Sequence, residues 1–369
     1  MPKAEESPTE MRYFASLRMT KIGFFSRLLV INITLFVMHV LGIETSCDET
    51  SAAVVRDGNR VLSNVTASSL SFHRRYGGVI PEIAFRMQLG SITGVCDCAL
   101  NEAGIGLGDI GLIAVTNGPG LSGSLNVGVN FAKSAALSAG IPLTAVNHLQ
   151  GHIYANFLCH SGIRLPFIAL IVSGGHTGIY YVNDCDDMEE LGSTADDACG
   201  EAYDKVAKIL GLGYPGGPVI ERRAAESSGK SGIKFNCSAA GSKYGFSFSG
   251  IKTAVLYYVA GQSRKGPLPP DLANDIAYAF QEAVAGVLVE KTLSAARDKK
   301  TAHILVGGGV AANLRLRQGF ETRAAKLGIR VFFPEKRFCL DNGAMIAGLG
   351  YRLYRKGRVA GPGLELQLD

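Results

Sequence analysis

Two α/β halves of like topology, each ordered βββαβαβα, are what the sequence predicts, and three observations carry that prediction. A β-meander near residue 40 returns near residue 167, a glycine-rich loop joins a strand to a helix in each half, and a further strand-to-helix unit closes each half. Length agrees, because 369 residues exceed what one ordinary hydrophobic core organises.

Residues 1–37 read as an extension outside this pattern. Mixed charges run to Arg27, and an apolar run from Leu28 then flows into Val40. Asn32, Thr34 and His39 interrupt a run already short for a membrane span. Arg12, Arg18, Lys21 and Arg27 suit a mitochondrial presequence, whereas Glu5, Glu6 and Glu10 do not. The core is expected to begin at Met38, immediately before the first strand.

From there the pattern gives strands over 40–45 and 51–55 and a third from Arg60, separated by the turn Ser46-Cys47-Asp48-Glu49 and by Asp57-Gly58. A strand over 112–116 leads into Asn117-Gly118-Pro119-Gly120, and one over 141–146 into a helix carrying His148. The second half repeats the order. Strands over 167–172 and 177–182 flank Ser173-Gly174-Gly175-His176, and a strand over 303–306 precedes Gly307-Gly308-Gly309. A last strand over 329–333 leads to a helix opened by Asp341-Asn342-Gly343-Ala344. The expected organisation is an extension over 1–37, a first lobe over 38–147, a second over 148–340 with the nucleotide and metal motifs, and over 341–369 a helix returning to the first lobe.

Composition narrows the class. The 46 glycines fall in short runs after apolar stretches, where backbone turns tightly or approaches a ligand, which excludes low complexity. A net charge of +5, dispersed along the chain, permits a polyanionic partner such as RNA without a basic tail. Eight cysteines without paired CxxC spacing point to reduced thiols and not to a disulfide scaffold.

The sharpest chemical signal is His148-Leu149-Gln150-Gly151-His152. Two imidazoles four residues apart on a helix share one face, where a single metal ion can take both. Leu149 stands where a zinc protease of the HExxH type carries its water-activating glutamate, so hydrolysis of that kind is disfavoured. Duplication makes the helix of His148 the counterpart of the helix opened by Asp341, so Asp341 is a candidate third ligand; its alternative role is a helix N-cap. Two nitrogens and a carboxylate leave coordination positions open, as in a catalytic site. The Ser173 to Thr177 turn can direct glycine amides at phosphate, although no Walker A loop is present. Gly307 to Gly309 can approach a base or ribose with Asn313 as polar handle, and GxGxxG spacing is not met. Asp204, on an amphipathic helix expected over 196–205 and followed by Gly216-Gly217-Pro218, suits ribose hydroxyls or else a solvated face.

Together with Leu41 to Thr50 (LGIETSCDET), Tyr76 to Glu82 (YGGVIPE), Phe246 to Thr253 (FSFSGIKT) and Leu340 to Ala344 (LDNGA), these motifs make the chain resemble the tRNA N6-adenosine threonylcarbamoyltransferases, once labelled O-sialoglycoprotein endopeptidases. The resemblance covers nearly all of 38–353. It implies the two-lobed actin-like ATPase, sugar kinase and Hsp70 (ASKHA) fold, and an acyltransferase moving threonylcarbamoyl from its adenylate to N6 of adenosine 37 in tRNAs that read codons beginning with A. It implies metal ligands at His148, His152 and Asp341, and adenylate-binding positions at Ile171, Val172, Ser173, Gly174, Gly175, Asp204, Gly217, Glu221 and Asn313. Functional acids are implied at Asp48 and Glu49. Two departures stand out: Phe85-Arg86-Met87-Gln88 lacks the serine and histidine usual there, and Gln150 replaces a frequent acid.

The implied cofactor is one divalent ion, iron(II) before zinc. The implied partners are tRNA and threonylcarbamoyl-AMP, with either an inactive paralogue and a small ATPase or a second copy of the chain, and no stable membrane association. The expected compartment is the cytoplasm, or the mitochondrion if residues 1–37 are a presequence. Rival readings are an ATP-dependent kinase or ATPase of the same fold, a metalloprotease, and a non-catalytic scaffold.

Overall fold

The computed structural model describes residues 37–237, 242–263 and 267–368, so the extension over 1–37 lies, but for Val37, outside the described residues. Among them, strands β1 (His39–Glu44), β2 (Glu49–Arg56), β3 (Arg60–Ser68), β4 (Ile110–Gly118) and β5 (Leu143–Asn147) form one sheet in the order β3-β2-β1-β4-β5. Strands β6 (Phe167–Val172), β7 (Thr177–Asp184), β8 (Asp187–Ser193), β9 (His303–Gly307) and β10 (Arg330–Phe332) form the second, in the order β10-β9-β6-β7-β8.

Read from the other edge, the second order is the first. In each sheet the leading three strands pair antiparallel, and the leading strand then pairs in parallel with the fourth. The duplication predicted from sequence is therefore present in pairing direction as well as in order. Strands β1, β4, β6 and β9 are almost wholly buried, as parallel strands covered on both faces must be.

Among the described residues the helices of seven residues or more are α1 (Pro81–Ala103), α2 (Ser122–Ala139), α3 (His148–Tyr154), α4 (Cys199–Ile209), α5 (Gly216–Glu226), α6 (Ser249–Ser263), α7 (Pro270–Asp298), α8 (Leu314–Ala324) and α9 (Gly343–Arg355). Helix α1 opens with proline, whose missing N–H costs nothing there, and stops at Gly104 with φ 71°. Its Ile92 and Val95 join Val129 of α2 and Leu41, Ile43, Ile113 and Val115 of the sheet in one core. Helix α9 covers the opposite face of that sheet. A Cβ on Gly42 would lie 2.2 Å from Gly343 O and 2.4 Å from Ala347 N, so strand and helix meet backbone to backbone. The chain beyond α9 stays on the same sheet, with Ala360 N donating to Leu143 O and Gln367 N to Asn117 O. Helix α3 packs on α9 and also on β6 and β9, which puts it between the two sheets.

Two departures from the sequence expectation bear on the candidate site residues. Strand β2 starts at Glu49, two residues early, because Glu49 and Thr50 pair with Ser68 and Ala67. The helix expected over 196–205 starts at Cys199. Asp196 instead accepts the backbone N–H groups of Phe248 and Ser249, and Asp197 pairs with Lys205 and Lys252.

Candidate metal centre

Strand β5 ends at Asn147, whose side-chain oxygen accepts from Leu149 N (3.0 Å) and Gln150 N (3.2 Å) and so caps α3. The cap fixes the helix start at His148 and brings His152 one turn later onto the same face. Their rings meet edge to face with centroids 4.6 Å apart. Gly151 allows close passage of α9, since a Cβ there would lie 2.9 Å from Ile346 Cδ1. Asp341, at the entry to α9, has Oδ1 3.2 Å from His152 Nε2 and 3.6 Å from His148 Nε2.

The alternative role for Asp341 is excluded by its neighbour. Asn342 is the cap of α9, accepting from Met345 N at 2.9 Å. The ligand atoms of His148, His152 and Asp341 lie within 4.8 Å of one another. His152 is 1 % exposed, yet neither ring nitrogen has a hydrogen-bond partner among the described residues. A buried polar group left without a hydrogen bond costs roughly 1–3 kcal/mol, and an ion shared by Nε2 and the facing Asp341 carboxylate would offset that cost at Nε2. The donor set thus fits a divalent ion. A second cluster, Asp184, Cys185 and Asp186, differs, because Lys356 Nζ already lies 2.6 Å from Asp184 and 2.5 Å from Asp186.

Behind His148 stands Glu44, the last residue of β1 and fully buried. Its Oε2 lies 3.0 Å from His148 Nδ1 and accepts from Thr116 Oγ1 at 2.6 Å, while Oε1 accepts from Ser46 N at 2.5 Å. A carboxylate on Nδ1–H fixes the tautomer and aims Nε2 at the ion position. Burial opposes a charge on His148, but Glu44 and Asp341 outweigh it and lift the imidazole to about 9. Burial likewise opposes the Asp341 anion, and His148, His152 and His176 outweigh it and hold the carboxyl well below its usual range.

A proton therefore occupies this site when an ion does not. The pKa of His148 rises from 6.5 to about 9 on folding. The stabilisation of the metal-free protein from this group is complete below 6.5 and is lost as pH rises through 9. Metal competes with the same proton, so its apparent affinity rises by up to about tenfold per pH unit across that window. Calorimetric metal titration at pH 7 in buffers of different ionisation heat is expected to show about one proton released per ion.

The turn carrying Asp48 and Glu49 is held by its carbonyls. Ser46 O accepts from Leu121 N, Cys47 O from Ser124 Oγ and Gln88 Nε2, Asp48 O from Ser69 N and Oγ, and Glu49 O again from Gln88 Nε2. Gln88, one of the two sequence departures, thus braces both sides of Asp48 from α1. Burial, then the Asp341, Asp48 and Glu44 carboxylates, push Glu49 up to about 8. Burial also raises Asp48, opposed in part by the hydrogen bond with Cys47.

The other predicted positions gather around the β6–β7 turn. Ile171 and Val172 are fully buried, and their backbones pair with Gly178 and Thr177. Ser173 closes the turn with His176, while Gly174 and Gly175 are exposed with nothing within 4 Å of where a Cβ would lie. The loop after β9 lies against this strand, since a Cβ on Gly308 would lie 2.3 Å from Val172 O. Asp204 is not a solvated side chain: Oδ1 accepts from Gly216 N at 2.6 Å, and burial raises its carboxyl to about 6. Gly217 is open, with nothing within 4 Å of its Cβ position. Glu221 Oε1 accepts from Leu314 N at 2.6 Å. Asn313 caps α8 through Leu316 N and donates to Gln281, so both ends of its amide are engaged.

Sequence reasoning left out Glu44, Gln88 and His176. An acid ending an apolar strand was the available signal for Glu44. Nothing local marked Gln88, whose partners are 41 and 39 residues away. His176 is pushed below its ordinary value by burial and by His148 and His152, which puts it within electrostatic reach of the centre.

Residues 60–348 match the family model described as tRNA N6-adenosine threonylcarbamoyltransferase. The chain is 47 % identical to the protein of that name from Caldicellulosiruptor bescii over 323 residues, 88 % of this chain and 95 % of that one. It is 51 % identical to the one from Syntrophotalea carbinolica over 313 residues, 85 % and 91 % of the two chains. Among solved structures it is similar to HypF from T. kodakarensis, with TM-score 0.57 and 16 % identity over 87 % of this chain and 48 % of that one. It is also similar to component A of the Acidaminococcus fermentans (R)-2-hydroxyglutaryl-CoA dehydratase, with TM-score 0.50 and 14 % identity over 85 % and 98 %. At such identity the likeness concerns the fold alone, which is the two-lobed actin-like one.

Proposed function

The chain belongs to the tRNA N6-adenosine threonylcarbamoyltransferases, and from that premise we propose that His148, His152 and Asp341 hold the divalent ion beside which its reaction takes place. The reaction transfers threonylcarbamoyl from L-threonylcarbamoyladenylate to N6 of adenosine 37 in tRNA, releasing AMP. The observation that carries the proposal is the buried, hydrogen-bond-free His152 facing Asp341 across one helical turn from His148.

An exocyclic adenine amine is a poor nucleophile, because its lone pair is delocalised into the ring. The barrier falls when the amine is held against the carbonyl and when charge on the carbonyl oxygen and the departing phosphate is stabilised. When bound, the ion supplies Lewis acidity toward those oxygens; we assign iron(II), with zinc as alternative, since imidazole and carboxylate donors suit both. The exposed Gly174 and Gly175 amides hold the phosphate. Asp204 and Glu221 each use one oxygen on a backbone N–H and offer the other to ribose hydroxyls. Asn313 serves through the helix entry it caps. Glu49 or Asp48 takes the amine proton, and a carboxyl raised to about 8 is matched to that task near neutral pH.

We further propose a protein partner, an inactive paralogue working with a small ATPase, with a second copy of this chain as the alternative. An open apolar groove between α1 and α2 supports it, with Leu89 67 % exposed beside Phe85 and Phe131. The reaction is assigned to the cytoplasm, or to the mitochondrion if residues 1–37 address it there. No helix among the described residues is long and apolar enough to cross a membrane.

The test is a product assay. Purified protein, with and without a paralogue and ATPase, is incubated with threonylcarbamoyl-AMP and unmodified tRNA, and digested nucleosides are identified by mass spectrometry. Modified adenosine and AMP are expected in equal amounts. Phosphoryl transfer from ATP to a small acceptor, with no modified adenosine in any combination, would favour the kinase reading.

A further inference from the structure

We propose that the exposed side of residues 72–76 is a contact surface for the single-stranded anticodon loop of the tRNA substrate. This rests on the transferase reading above. The segment begins with a single helical turn, Leu70–His73, between β3 and α1. Its inner side is tied to the turn that carries Asp48 and Glu49. His73, fully buried, has Nε2 2.9 Å from Ser69 Oγ, and Ser69 donates both its N–H and its hydroxyl to Asp48 O. His73 Nδ1 accepts from Ile80 N, so the same ring also fixes the entry to α1. The anchor leaves little freedom between this segment and the acids.

Its outer side has the opposite character. Phe72 is 49 % and Tyr76 61 % exposed, and Arg74 and Arg75 between them are exposed with no ion pair among the described residues. Two exposed aromatics are costly to leave in water, and unpaired arginines beside them add positive charge without a counter-ion. Interleaved aromatic and guanidinium groups match unstacked bases and their phosphates, the features of an RNA loop and not of a duplex. The adenosine that reacts lies in such a loop. A surface one hydrogen-bonded residue away from Asp48 is where flanking nucleotides must rest when that base enters the site.

The test compares Arg74→Ala/Arg75→Ala and Phe72→Ala/Tyr76→Ala with the unsubstituted protein. Binding of an unmodified tRNA transcript is measured by fluorescence anisotropy over a series of KCl concentrations. The arginine pair is expected to flatten the dependence of log K on log salt by about 1.4, the value for two phosphate contacts on a single strand. The aromatic pair is expected to weaken binding by about tenfold or more with little change in that slope. Metal content should match the unsubstituted protein and the thermal midpoint should change little, because Arg74, Arg75 and Tyr76 are exposed and Phe72 is half exposed. Unchanged tRNA affinity and slope in both variants would overturn the proposal; that is also the result expected if the surface serves a protein partner instead. Absence of modified adenosine from the unsubstituted protein in every combination with the paralogue and ATPase would count against the transferase reading, a failure distinguishable from that of the binding surface.

Discussion

Replacing His152 with alanine is expected to empty the metal centre and to lower tRNA modification by about 10²–10³-fold, the usual consequence of losing a group that stabilises transition-state charge. His152 is the residue to change because it makes no hydrogen bond that the fold needs. His148, in contrast, is tied to Glu44 and Ser46, so its removal leaves a buried carboxylate without its partner. Elemental analysis of the purified variant should find less than a tenth of the ion held by the unsubstituted protein, with an unchanged far-ultraviolet circular dichroism spectrum. Full metal content in the variant would mean that the ion sits elsewhere.

The second large effect is one of packing. Gly42→Ala puts a methyl group 2.2 Å from Gly343 O and 2.4 Å from Ala347 N, and neither strand β1 nor helix α9 has a flexible side chain that can yield there. Overpacking of this kind costs about 3 kcal/mol, since the two backbones must separate. Urea denaturation is expected to show the midpoint falling with little change in slope. Asp341 precedes α9 by two residues, so the same separation draws it from the histidines and weakens metal binding in parallel. A wild-type midpoint with wild-type metal affinity would mean that helix and strand do not meet as closely as described.

These two substitutions also mark where the sequence was readable. The duplication could be seen because each half repeats its meander and its strand, glycine loop and helix in the same order, and pairing follows that order directly. The histidine pair could be seen because helical spacing is local. What escaped depended on phase or on distance. Asp341 was named as a third ligand through the duplication, but sequence alone left its rival role as a cap open, and the fold gives that role to Asn342. Glu44 reads as the polar end of a strand until Thr116 and His148 close over it from 72 and 104 positions away. Asn313 offered itself as a ligand handle, and the structure engages its amide in a cap and with Gln281. Asp204 read as a partner for ribose hydroxyls, with a solvated face as the alternative, and only the fold shows the Gly216 loop closing over it.

The proposed function requires an ion at His148, His152 and Asp341 for transfer. The most direct test removes it: protein stripped by chelation is assayed for modified adenosine, then titrated with iron(II) or zinc while bound metal is measured in the same samples. The expected result is loss of product on stripping and recovery in proportion to ion bound, up to one per chain, with no recovery in His152→Ala. Full product formation by protein that contains no detectable metal would contradict it.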